Sequence, residues 1–98
     1  MNKVIKPTVG RKVWYRPCAN DKMGPRAMQT AAGQPLDATV IAVWSDTCVN
    51  VLVTDVVGNQ YPVLSCRLLQ PGEEPGRDAE GNLVGRHVEW MPYQQAQA

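Results

Sequence analysis

Phenylalanine is absent from this chain, histidine occurs once and serine twice. Each scarcity removes a kind of chemistry. Any Ser–His or Cys–His nucleophilic pair would have to use His87, and the residues around it form no nucleophile elbow, so no enzymatic site is expected. Cys18, Cys48 and Cys66, taken with His87, stand 30, 18 and 21 residues apart and lack the short paired spacing of a zinc site. Gly72, Gly76, Gly81 and Gly85 are scattered through a polar stretch with no strand–turn–helix frame, which argues against a phosphate loop. Neither metal nor cofactor is expected. No run approaches the roughly 18 apolar residues that a membrane span needs. Met1–Lys12 carries Lys3, Lys6, Arg11 and Lys12 but no apolar core, so it does not read as a signal peptide. An odd number of cysteines without an export signal fits free thiols in a reducing cytosol.

What is present is β-forming. Ninety-eight residues provide for one domain, numbered 1–98, with a frayed tail over 94–98. Valine is abundant and suits a pleated surface, while eight glycines and eight prolines interrupt the chain too often for long helices. Five β-like runs stand out: Arg11–Arg16, Leu36–Ser45, Cys48–Val57, Gln60–Leu69 and Arg86–Met91. Between the third and fourth, Gly58-Asn59 reads as a two-residue type II′ turn. That turn sets Val53 opposite Leu64, Val51 opposite Cys66 and Val49 opposite Leu68, and puts all six on one buried face. Cys66 then belongs to the core and Cys48 to the opposite face, which disfavours a disulfide between them. For the second run, a two-residue Asp46-Thr47 loop would bury Val40, Ala42 and Trp44. A three-residue Ser45–Thr47 loop would bury Ile41 and Val43 and leave Trp44 near the rim; the denser β-branched stripe favours this second register.

A strand, a long excursion (Pro17–Pro35), three meandering strands, a polar connector (Gln70–Gly85) and a short last strand follow the plan of a small five-stranded SH3-like barrel, all-β, in which the last strand pairs with the first. An OB-fold would need a helix between the third and fourth strands, and Gly58-Asn59 leaves no space for one.

Recognition chemistry remains. A loop as long as Pro17–Pro35 is usually functional or disordered, and it carries Lys22, Met23, Arg26 and Met28. With Trp14, Arg16, Trp44 and Tyr93 these form the candidate partner-binding set. Charge is split along the chain. Residues 1–35 hold seven bases against one acid, and residues 36–98 hold three against eight. Such a split marks either an anion-binding surface or charge complementarity within the fold.

The runs Gly10–Tyr15, Pro35–Trp44 and Val49-Asn50-Val51, and the closing Glu89–Tyr93, resemble small hypothetical proteins encoded by tailed bacteriophages and prophages. The resemblance covers nearly the whole chain and implies action in the bacterial cytoplasm. That family has no assigned activity, so no residue role carries over. The expected function is that of a non-enzymatic phage accessory protein that binds a host or phage protein and involves no membrane. Weak nucleic-acid binding through the basic first third, or a part in phage assembly, are the alternatives.

Overall fold

The computed structural model describes residues 4–97. Lys3, counted in the basic first third, lies outside them, as does Ala98. Five strands form: β1 (Lys12–Arg16), β2 (Leu36–Ser45), β3 (Cys48–Thr54), β4 (Gln60–Leu69) and β5 (His87–Glu89). The four strands β1–β4 pair antiparallel in sequence order. β5 then pairs antiparallel with β1 and parallel with β4, closing a five-stranded barrel of the SH3-like plan. Closure gives each strand a neighbour on both sides, which removes the open edges that invite aggregation.

Alternation sorts the side chains. Val13 and Tyr15 of β1 point inward while Trp14 and Arg16 point outward. Leu36, Ala38 and Val40 of β2, Val49, Val51 and Val53 of β3, and Val63, Cys66 and Leu68 of β4 complete the wall, with Val88 and Trp90 behind β5. In a core without phenylalanine, Trp90 and Tyr15 are the largest fully buried side chains and fill what the valines leave open.

The β3–β4 register differs from the sequence expectation. Val51 faces Val63, and Cys66 faces Val49. The loop between the strands is not a two-residue Gly58-Asn59 turn. Gly58 N–H donates to Asp55 O at 3.1 Å and Asp55 N–H donates to Asn59 O at 2.9 Å. This is a three-residue loop, Val56–Gly58, with Gly58 supplying the required positive φ of 94°. Further along, two residues of β4, Leu64 and Ser65, stand opposite Asn50 alone. That bulge reverses the alternation. Val63 lies inward before it and Cys66 inward after it, while Leu64, expected in the core, is 64% exposed.

A second irregularity, at Ile41 of β2, has the same effect. Val40 is fully buried before it, and Val43 packs on the core after it. Neither register read from sequence is correct throughout: Ile41 faces solvent, contrary to the favoured one. Ser45 pairs directly with Cys48 across a two-residue Asp46-Thr47 loop, yet Trp44 is exposed. The tail also differs from expectation. Pro92–Gln97 winds into a short helix, α1, and Gln94 is buried with its amide donating to Lys12 O at 3.0 Å.

Two measurements check this arrangement. Burial pushes the Cys66 thiol up to about 11, so in native protein Cys48 should react first with a bulky alkylating reagent. Cys66→Ser should cost about 1–3 kcal/mol in denaturant unfolding, and equal reactivity of Cys66 and Cys48 would contradict the core placement. Ser65 sits at φ 50°, a region L side chains seldom adopt. Ser65→Gly should therefore be neutral to stabilising, whereas Ser65→Val should destabilise by about 1–2 kcal/mol. The reverse order would contradict the bulge.

Candidate functional site

The long first loop is fixed at two buried carboxylates. Near its start a 3-10 turn, Ala19–Lys22, carries Asp21 beneath the surface. Asp21 Oδ2 accepts from the Tyr15 hydroxyl at 2.7 Å and the Cys18 N–H at 3.0 Å, and Oδ1 accepts from Arg86 Nη1 at 3.1 Å. Burial, and then this bond to Asp21, hold the Tyr15 hydroxyl firmly protonated. The Met28 N–H donates back to Asp21 O at 2.7 Å, which folds the loop over on itself.

The second anchor is Asp55, at the foot of the β3–β4 loop. Its carboxylate accepts from the N–H groups of Gln29 (3.0 Å), Val57 (3.1 Å) and Asn59 (2.9 Å) and from the Tyr61 hydroxyl (2.9 Å). Burial would raise the Asp55 pKa, but these bonds, those from Gln29 and Asn59 foremost, bring it down to about 2. Burial and the Asp55 carboxylate in turn raise that of Tyr61.

Fixed in this way, the loop walls two depressions. One, of about 320 Å³, lies between the loop and β4 and is lined by Asn20, Asp21, Met23, Arg26, Met28, Tyr61, Pro62, Val63 and Arg86. The other, of about 560 Å³, separates the 3-10 turn from a small hairpin in the β4–β5 connector and is lined by residues including Cys18, Lys22, Met23, Arg77 and Leu83. Met23 borders both and is 67% exposed. A third cleft, of about 430 Å³, lies where the connector crosses Arg16, His87 and Glu89. There Glu89 Oε1 sits 3.0 Å from His87 Nε2 and 3.3 Å from Arg16 Nε, and those contacts, the one from His87 foremost, hold its pKa low.

The eight candidate residues therefore do not form one site. Lys22, Met23 and Arg26 gather around the loop depressions. Met28 lines the floor of the depression beside β4, but its side chain is mostly buried and packs in the core, because the loop folds back on itself. Trp14 and Arg16 stack on the outer face of β1, with the guanidinium carbon 5.5 Å from the ring centroid. Trp44 lies on the outer face of β2, its indole N–H bonded to Asn50 Oδ1 at 2.9 Å. Tyr93 is exposed on α1. Arg86 and Pro62 were missed by sequence reading. Arg86 reaches the site only through a contact 65 residues away in the chain, which no local pattern signals.

The charge split is partly closed within the molecule. Lys6–Asp46, Lys12–Asp37 and Arg16–Glu89 pair at 3.6, 3.0 and 3.3 Å, each joining the basic first third to the acidic remainder. Among the described residues Lys22, Arg26 and Arg11 make no ion pair, and the Arg11 guanidinium carbon lies 5.3 Å from the Trp90 ring centroid. Comparison with protein-family models, curated proteins and solved structures finds no match to this chain.

Asp55 titrates below its ordinary value of 3.8, near 2, so its stabilising effect is complete above pH 3.8 and is lost as the pH falls through 2. Asp55→Asn lacks that effect. In urea unfolding across this acid range its stability deficit relative to the parent protein should shrink toward pH 2. A deficit that stays constant would mean the carboxylate is not held in its charged form.

Proposed function

We propose that the protein is a non-enzymatic module that binds another protein, with the loop-walled groove beside β4 as its contact surface. One observation carries this reading: an exposed methionine, Met23, and two bases without an ion pair among the described residues, Lys22 and Arg26, stand on a loop that Asp21 and Asp55 hold in place. A pre-ordered loop loses little freedom on binding. Methionine adapts its shape to apolar side chains of a partner. The resemblance of the chain to small phage and prophage proteins supports a setting in the bacterial cytoplasm, with a host or phage protein as partner.

Nucleic acid is the less favoured partner, since three of the bases in the first third already face acids. Affinity-tagged protein, incubated with bacterial lysate before and after nuclease treatment, should retain a protein partner in both cases. Met23→Asp combined with Arg26→Glu should abolish that capture. Submicromolar binding of DNA at about 150 mM salt, or capture lost on nuclease treatment, would overturn this reading in favour of nucleic acid.

A further inference from the structure

The groove has a more specific chemistry than a general binding surface, and its assignment rests on the protein-binding reading. Arg86 enters it with one nitrogen committed to Asp21 at 3.1 Å, and that carboxylate is only 5% exposed. The buried acid tethers the guanidinium by one nitrogen, while the arginine side chain remains 47% exposed. Arg26 lines the same groove and makes no ion pair among the described residues. An arginine tethered through one nitrogen to a buried acid keeps further N–H donors, and with a second arginine lining the same groove these can meet a carboxylate in fork geometry. Met23, Tyr61 and Pro62 add apolar surface to a groove that Asn20 and Asp21 also line.

We infer that the groove takes an acidic segment of a partner protein, an Asp or Glu carboxylate held by Arg86 and Arg26 with a neighbouring apolar side chain against Met23, Tyr61 and Pro62. Charge complementarity selects a side-chain carboxylate over a nucleic-acid backbone. Two arginines converge on this groove, whereas Lys6, Lys12 and Arg16, which could extend a basic track away from it, are each paired with an acid. A polyphosphate chain needs a continuous row of contacts. One carboxylate beside an apolar side chain needs only this groove.

Selection of a randomised peptide library, displayed on yeast, against the intact protein tests the inference. Enriched peptides should carry Asp or Glu next to Leu, Met or an aromatic residue, and their binding should weaken as salt is raised. Arg26→Gln should weaken them roughly tenfold or more. Arg86→Lys keeps a positive charge on Asp21 but loses the planar fork, and it should weaken them similarly while melting close to the parent temperature. Enriched peptides without acidic residues, or acidic peptides unaffected by both variants, would overturn the carboxylate assignment. If such non-acidic peptides were still lost on Met23→Asp, the protein-binding reading would stand without it. A library that enriches nothing overturns the inference, and lysate capture then judges the broader reading alone.

Discussion

A five-stranded barrel must bend two of its strands sharply, because β2 and β4 are each ten residues long and run around its wall. A regularly pleated strand of that length cannot hold one face inward along such a bend. Bulges at Ile41 and at Leu64-Ser65 relieve the constraint, and each removes one residue of alternation. Much else depends on them. They decide that Cys66 rather than Ser65 meets Val49, and that Val40 and Val43 both lie inward although three positions separate them. They also free Asn50, which faces two residues at once. Its side-chain oxygen accepts the Ser65 N–H at 2.7 Å and the Trp44 indole N–H at 2.9 Å, so the two strands that flank β3 are tied to one amide.

A similar concentration of bonds appears in the loops, where single carboxylates replace extended backbone pairing. Asp55 opens the run Asp-Val-Val-Gly-Asn and Asp78 opens Asp-Ala-Glu-Gly-Asn. Both runs build one turn: glycine N–H to aspartate O, aspartate N–H to asparagine O, and the carboxylate accepting the N–H groups two and four residues on. Gly58 and Gly81 share a positive φ, at 94° and 84°. At Asp55 the carboxylate has capacity left after capping its own turn. The remaining lone pairs accept from Gln29 and Tyr61, which joins the first loop to the β3–β4 hairpin.

These devices explain what could be read from sequence and what could not. Strand count, order and most strand limits are local properties of valine-rich runs between glycine and proline, and β2 and β4 lie where those runs predict. Val49, Val51 and Val53 are fully buried as alternation requires, and Cys66 lies inward as expected. Register is different. Gly58-Asn59 resembles a two-residue turn when those two residues are read alone. The repeated Asp-x-x-Gly-Asn pattern, with aspartate three places before glycine, was the signal for the longer loop. The bulges carry no such mark, since Ser65 adopts a backbone conformation that serine rarely takes and that only the barrel's curvature demands. For the candidate site, Lys22, Met23 and Arg26 were legible because they are exposed residues of a long loop. Met28 was not separable from Met23 in sequence, because its burial depends on the loop folding back through Asp21.

That folding back also gives the charge split its meaning. Taken along the chain, the first third looks like a basic arm awaiting a polyanion. Folded, Lys6, Lys12 and Arg16 each lie against an acid from the opposite half. Exposed pairs of this kind contribute little to stability, on the order of 0–1 kcal/mol each. Their larger effect is subtractive: they offset three of the bases and, among the described residues of the first third, leave Arg11, Lys22 and Arg26 without an ion pair, with Arg11 held over the Trp90 ring. Arg86 comes from the acidic half and would be the natural partner for a stray carboxylate elsewhere. Asp21 instead turns it into the groove that Arg26 also lines. The two arginines arrive there from opposite halves of the chain, so the positive character of this groove is a property of the closed barrel and its pinned loop, and of neither segment alone.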